Sequence, residues 1–464
     1  MKKIITLLLT LTIIASLFVL PSSALTEADV AGFKYTLVAQ ASNGMSFTGD
    51  DVLFFGKYCM RGMAISPDGK YAFGGYLNPN GSSAIEMSDL NTGKVVAGLQ
   101  FIQSENGKSS YPKGLATDDR GYLYAALAWN PNNTRADIAT YTYANSELKQ
   151  VGYANIVMTS ESVKTGVNGI TVEKINGSYF AYVIVNYDVD YLARFNVDDP
   201  TNPVLDAGFG NGGLIDLQKS PYNLTEANYL DVDTDGTIYL GCKDSSAQKL
   251  IVLSADGSII LNSVEQTKAY GVAIWNDYLF VTSQDSGKVC VYNKSALSLI
   301  GTIEVTTENI ALPIDRDDIL FNGGVSSLCN ATVINDVLFL GDQGNGASGF
   351  DQIFAVGLTA DGAKIVENYS KGIHDRLASI YPEKTEAPET TLAPEPETTV
   401  APEATEAPVE TTEEAIEDVQ TNAPAVTDAP ATEAPAKEKG CGGMVAGIAI
   451  IAIIGTAVVI RKKD

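Results

Sequence analysis

Residues 61–77 read RGMAISPDGKYAFGGYL: a polar residue and a glycine, alternating apolar positions to Ile65, a Ser-Pro-Asp-Gly turn, then a second apolar run. Apolar residues at a period of two write a half-buried strand, and Asp68-Gly69 supplies the positive φ that a tight hairpin needs. The phrase recurs as KGLATD from Lys113, NGITVE from Asn168, NYLDVD from Asn228, YGVAIW from Tyr270 and SSLCNA from Ser326. Each copy is followed by a second apolar run (GYLYAAL, SYFAYVIV, GTIYLGC, DYLFVTS and DVLFLGD in copies two to six). A third run follows, such as KLIVLSA or KVCVYNK, and then a less regular fourth, ending with AKIVENY in the sixth copy.

Four short strands per unit, repeated every 40 to 60 residues or so, predict an all-β fold: a β-propeller of six four-stranded blades, with seven possible. Radial repetition leaves few exposed strand edges, which accounts for a long all-β chain that needs no other cover. The run FKYTLVAQ, residues 33–40, is left over and is expected either to close the last blade or to belong to a degenerate seventh. A short helix is expected over residues 375–381.

Phrases such as AISPDGKYAF and VDTDGTIYL resemble the hairpins of six-bladed propellers of the NHL, YVTN and SMP-30/gluconolactonase type, over residues 58–370. The resemblance implies architecture; propellers host unrelated functions. Its lactonase branch implies a divalent metal held in the channel by Glu, Asn and Asp. Asn168, in VNGITV, matches the Asn-Gly that carries one such ligand. Where an Asp-Gly would precede the LDVDTDG hairpin, this chain has Asn228-Tyr229, and the first repeat offers no acidic ligand.

The two ends differ from the middle. Residues 1–24 carry Lys2-Lys3, an apolar run and small residues at Ser22 and Ala24, the pattern of a signal peptide cleaved after Ala24. The all-β head is expected over residues 25–381. Residues 382–438 turn to Ala, Pro, Glu and Thr; such a segment buries too little to offset ordering entropy and reads as a disordered stalk. Residues 441–460 are uncharged and long enough for one transmembrane helix, and the basic residues of the tail 461–464 place the head outside the cell. This organisation resembles that of membrane-anchored bacterial surface proteins. We expect a cell-membrane protein with a single pass and a monomeric extracellular head.

An inner propeller strand lines the central channel, so the residue that opens each first strand is expected to join a ring at one mouth: Arg61, Lys113, Asn168, Asn228, Tyr270 and Ser326. Two cations on a chain of net charge −25 favour an anion or a sugar acid there, and the same charge argues against nucleic acid. If the ring only lines the channel, the outer loops at 77–83 and 129–134 are the next place for a site. The predicted partner is an extracellular carbohydrate or protein, with a metal-dependent lactonase or hydrolase as the alternative. No catalytic residue, metal ligand or cofactor is assigned; calcium is the cation the resemblance allows. The chain has one histidine, His374, outside the repeats, which argues against Ser-His-Asp or Cys-His catalysis. Asp231-Val232-Asp233-Thr234-Asp235-Gly236 opens like a calcium loop, but Cys242 stands where the bidentate carboxylate belongs, so it reads as a solvated turn. Cys59, Cys242, Cys290 and Cys329 lack metal-ligand spacing and are expected as buried single thiols.

Overall fold

The structure, a computed structural model, describes residues 24–40, 59–77, 82–102, 111–128, 135–157, 165–187, 189–243, 249–266, 268–284, 287–304, 328–342 and 352–380. A short helix, α1 (Glu27–Gly32), opens it with a capping box in which Thr26 and Asp29 satisfy each other's backbone N–H groups. Strand β1 (Thr36–Gln40) follows. Six antiparallel sheets come next. Blade one is β2 (Cys59–Ile65), β3 (Tyr71–Leu77), β4 (Ser82–Asp89) and β5 (Lys94–Ile102). Blade two is β6 (Tyr111–Thr117), β7 (Tyr122–Ala128), β8 (Arg135–Thr142) and β9 (Lys149–Val157). Blade three is β10 (Thr165–Ile175), β11 (Ser178–Tyr187) and β12 (Tyr191–Asn196), with β13 (Val204–Leu205) and β14 (Leu214–Asp216) sharing its outer edge. Blade four is β15 (Ala227–Val232), β16 (Ile238–Cys242), β17 (Lys249–Leu253) and β18 (Ile260–Glu265). Blade five is β19 (Ala269–Trp275), β20 (Tyr278–Ser283), β21 (Lys288–Asn293) and β22 (Leu299–Glu304). Blade six is β23 (Leu328–Ile334), β24 (Val337–Asp342) and β25 (Gln352–Gly357).

Blade six is completed by β1, which pairs antiparallel with β25 from Thr36↔Ala355 to Gln40↔Gln352. The leftover run at residues 33–40 is therefore a closing strand, and the propeller has six blades. AKIVENY is not the expected fourth strand. It lies in a second helix, α2 (Ala360–Ile380), which also absorbs the short helix expected near residue 375. Val366, Tyr369, Ile373 and Leu377 recur three or four apart and are all buried, which is a helical stripe rather than a strand's alternation.

The apolar residues sort into six clusters, one for each contact between neighbouring blades, as a closed ring requires. Phe73, Met87, Leu115 and Tyr141 fill the first joint, and Tyr124, Val183 and Phe195 the second. The joint between blades six and one holds Met60, Met63, Phe339 and Ile353 together with Val38 of β1 and Val366 and Tyr369 of α2. Helix α2 straps this closing joint: Tyr369 donates a hydrogen bond to the Gly69 carbonyl in blade one, 2.6 Å. Cations lock other joints. Arg120 of blade two pairs with Asp118 and donates to the carbonyls of Val197 and Asp198 in blade three, at 2.8 Å each. Lys294 of blade five reaches Asp233 of blade four at 2.5 Å.

The segments expected as a stalk (382–438) and a transmembrane helix (441–460) lie outside the described residues. Among the described residues, no helix is long and apolar enough to cross a membrane. Cys242 and Cys329 are buried thiols that donate to the carbonyl oxygens of Thr225 (2.9 Å) and Gly341 (3.4 Å), and Cys290 is half-buried.

Candidate functional site at the channel

All six inner strands carry a register shift near their starts: between Met60 and Gly62, Pro112 and Gly114, Val167 and Ile170, Ala227 and Leu230, Ala269 and Val272, and Leu328 and Asn330. Arg61, Lys113, Asn168, Asn228 and Tyr270 sit on the first five bulges, so one structural position repeats as the sequence phrase predicts. In blade six the bulge falls on Cys329. Ser326 lies outside the described residues.

The residue after each bulge position turns toward the next blade, and glycine there permits backbone contact. A Cβ at Gly114 would lie 2.5 Å from the Asn168 carbonyl oxygen, and one at Gly169 would lie 2.7 Å from that of Asn228. Blade four breaks the pattern with Tyr229. Its ring is buried, and its phenol hydrogen-bonds to the carbonyl oxygens of Lys113 (2.6 Å) and Arg61. One side chain therefore joins blade four to blades one and two across the axis and plugs the channel. Blade six departs too: Asn330 stands at the glycine position and donates to the Met63 carbonyl at 2.8 Å, tying blade six to blade one.

Three residues of the expected ring lie in a packed layer. Asn168, Asn228 and Tyr270 are buried. Asn168 donates through Nδ2 to Ala227 O at 3.0 Å and to Asn228 Oδ1 at 3.3 Å, and Asn228 donates to Glu226 O at 2.7 Å. The Tyr270 ring packs against Tyr229, with centroids 5.1 Å apart. Lys243 Nζ lies 5.8 Å from the Tyr270 ring centroid, close enough for a cation–π contact. Arg61 and Lys113 are half-buried. Burial, reinforced by Arg61 and Lys243, pushes the Lys113 ammonium down to about 7. The cationic end of the channel therefore comprises Arg61, Lys113 and Lys243 over a floor of Tyr229 and Tyr270. Lys243 falls outside the repeated phrase, which is why the sequence did not reveal it.

Beyond the plug, at the hairpins that end the inner strands, the channel widens into a cavity of 560 Å³. Thr117, Thr171, Thr332 and Asp231 line its walls; Asp119, Glu173, Asp233 and Lys174 stand nearer the turns. Asp231 accepts hydrogen bonds from Thr171 Oγ1 (3.1 Å) and from the backbone N–H groups of Ile274 and Val232 (2.9 Å each). Burial outweighs those donors and pushes its carboxyl up to about 7. The three aspartates of the 231–236 segment have separate tasks: Asp231 faces the channel, Asp233 takes Lys294, and Asp235 caps the Thr237 N–H at 2.8 Å. The segment is a hairpin, as expected, but Asp231 belongs to the channel wall rather than to a solvated turn.

The metal site implied by lactonase-type propellers does not fit these residues. Asn168 Oδ1 is buried without a hydrogen-bond partner, so one oxygen is available. Its surroundings are Asn228, the glycine layer and a mouth carrying Arg61 and Lys113, and cations repel a divalent ion. Among the described residues, no group of three or more His, Cys, Asp or Glu side chains is placed to hold a metal.

No family model matches the chain, and no curated protein matches it in sequence. Solved structures align with it at low identity. A protein of unknown function from Bacteroides thetaiotaomicron aligns at TM-score 0.44 and 10% identity, over 70% of this chain and 76% of that one. The periplasmic gluconolactonase of Pseudomonas aeruginosa aligns at TM-score 0.41 and 14% identity, over 71% and 97%. A chain of a nidogen/laminin complex aligns at TM-score 0.38 and 12% identity, over 59% and 84%. The class that the chain's own sheet topology defines is a six-bladed β-propeller.

Proposed function

We propose that this propeller is a cell-surface binding module, held on a stalk, that takes an anionic extracellular ligand at the cationic end of its channel. The observation that carries this reading is the convergence of Arg61, Lys113 and Lys243 on the Tyr229–Tyr270 floor, in a chain of net charge −25. A carboxylate seated there would meet charged donors in partly buried surroundings, where such hydrogen bonds count most. Uronic-acid carbohydrate is the ligand class we favour, and an acidic patch on a protein partner is the other source of the same chemistry.

Replacing both Arg61 and Lys113 by alanine should weaken binding of an acidic oligosaccharide by roughly 2–4 kcal/mol, allowing for charged hydrogen bonds less solvent screening. Calorimetry on the full chain with oligogalacturonides tests this. Sugar carboxylates are ionised above about pH 4, so at the cationic end of the channel Lys113 is the group whose charge changes over the neutral range. It is an ammonium below about 7 and neutral above. Affinity should therefore be highest on the acid side and fall as pH rises through 7, with the bound anion moving the midpoint upward. Equal binding by the double variant, or a flat pH profile, would remove the site from this end of the channel.

The surface-display part rests on the two chain ends. Truncation after Glu438 should release the protein into the medium, because 441–460 is the only stretch of the mature sequence apolar and long enough to span a bilayer. Retention of the truncated chain in washed membranes would refute the anchor.

A further inference from the structure

We propose that the 560 Å³ cavity beyond the tyrosine plug is a second binding site, built for a small aliphatic diamine, with one ammonium on Asp231 and the other on Glu173. The cavity lies at the opposite end of the channel from the anion site, and the inference stands whether or not that site is occupied.

The inner strands line the cavity in layers. Its floor takes one buried apolar side chain from each blade: Met63, Leu115, Ile170, Leu230, Val272 and Ala331. Asp231 stands one residue beyond Leu230, nearer the turns. Three donors orient its carboxylate: Thr171 Oγ1 at 3.1 Å and the N–H groups of Val232 and Ile274 at 2.9 Å each. A carboxylate has about four lone-pair positions, so one is left for a ligand. Val172, Ile274 and Val333 give the next layer an apolar wall. Glu173 stands three residues beyond Ile170, and so two residues nearer the turns than Asp231. At the rise of a strand that is about 7 Å.

Neither carboxylate has a lysine or arginine partner among the described residues. Lys294 is held by Asp233, and Lys174 Nζ lies over the Tyr179 ring, 5.0 Å from its centroid. Glu173 accepts the N–H of Lys174 at 3.0 Å. A carboxylate drawn out of water is stabilised by a cation. Burial pushes both carboxyls up, Asp231 to about 7, and Asp233 and Asp119 add to the rise at Glu173. A metal ion needs several oxygens converging on one point. Here two carboxylates stand at different depths, with apolar side chains at the level between them. An ammonium brings three donors on an apolar stem. Two ammoniums joined by a four-carbon stem, the length that carries the charge of a lysine, answer both depths and the wall between.

The test is calorimetry of the full chain with 1,4-diaminobutane, at an ionic strength that screens attraction to the acidic surface. The uncharged analogue is 1,4-butanediol. The diamine should bind saturably at about pH 8, and the diol about tenfold or more weakly, since hydrogen bonds to charged groups are the stronger ones. Asp231→Asn keeps the shape, removes the charge and should cost about tenfold or more. Glu173→Gln, nearer solvent, should cost about two- to fivefold. The other ionisable groups lining the cavity are Asp118, Asp119, Glu173, Asp233, Lys174, Lys294 and Tyr179. Bound ammonium favours the ionised form of Asp231, so binding releases its proton. Affinity should therefore rise about tenfold between about pH 5.5 and 8, through the value of about 7 for Asp231. Ordinary surface carboxylates are already ionised at the start of that range, and attraction to them gives a flat profile. A flat profile, equal binding of the diol, or an Asp231→Asn variant that binds like the parent would overturn the site. The pH profile of the unaltered chain decides the matter even where a variant fails to fold.

Discussion

Replacing Tyr229 by alanine should lower the unfolding free energy by about 3–5 kcal/mol, the range for removing a large buried aromatic side chain that leaves a cavity. The expectation is at the upper end for two reasons. The ring is buried against Met60, Met63 and Tyr270 in the joint between blades six and one, although the residue itself belongs to blade four. Its phenol also satisfies carbonyl oxygens in blades one and two. Tyr229→Phe separates the two contributions: it keeps the packing and loses the hydrogen bonds, so it should cost only about 1–2 kcal/mol. Denaturant titration of both variants measures the difference. An alanine variant no less stable than the phenylalanine variant would show that the ring fills no structural gap. The alanine variant should also join the cationic end of the channel to the 560 Å³ cavity beyond it.

Tyr229 also marks where reading the sequence fell short. Four of the six repeated phrases place glycine after their opening residue; Tyr229 stands there in the fourth, and in the sixth, which opens on Ser326-Ser327, the bulge at Cys329 brings Asn330 to the glycine's place. Those two departures are where the channel is bridged and where blade six is tied to blade one. The signal was present as a broken repeat. Its meaning needed the ring's geometry, because a tyrosine that crosses an axis contacts blades more than 100 residues away in sequence. The sixth phrase slipped for a related reason. Leu328, Cys329 and Ala331 give only a weak alternation, and the bulge at Cys329 shifts the register that a strict period of two would impose. AKIVENY was misread because the repeat called for a fourth strand. Its own spacing, continued to Ile373 and Leu377, is helical. By contrast, the Asp-Gly hairpins and the alternating inner strands made the six blades legible, since each is decided within a few residues.

Removing residues 25–40 should abolish cooperative folding of the propeller, a larger effect than any single substitution at the channel. Strand β1 contributes Leu37 and Val38, fully buried, beside Ala39 at 2% exposure, and Tyr35 just before it is fully buried as well. At about 1.5–3 kcal/mol for each large apolar side chain, their loss alone approaches the 5–15 kcal/mol that holds a typical domain together. Three further losses come with it. The N–H and C=O groups of β25 that face β1 would become an open edge, ready to pair with another chain. Helix α2, which packs on β1 as well as β25, would lose part of its seat. The joints on both sides of blade six, which share residues of the β1 segment, would open together. The ring would then be a chain of blades with two unsatisfied faces, and a propeller needs every joint to bury its blades. Leu37→Asp tests the same point at full length by placing a charge in the fully buried position. Circular dichroism melts and size-exclusion chromatography should show an aggregated species with no sharp transition for the truncated chain. They should show a strongly lowered midpoint for Leu37→Asp. A truncated chain that melts cooperatively at the parental temperature would mean that blade six is complete without β1.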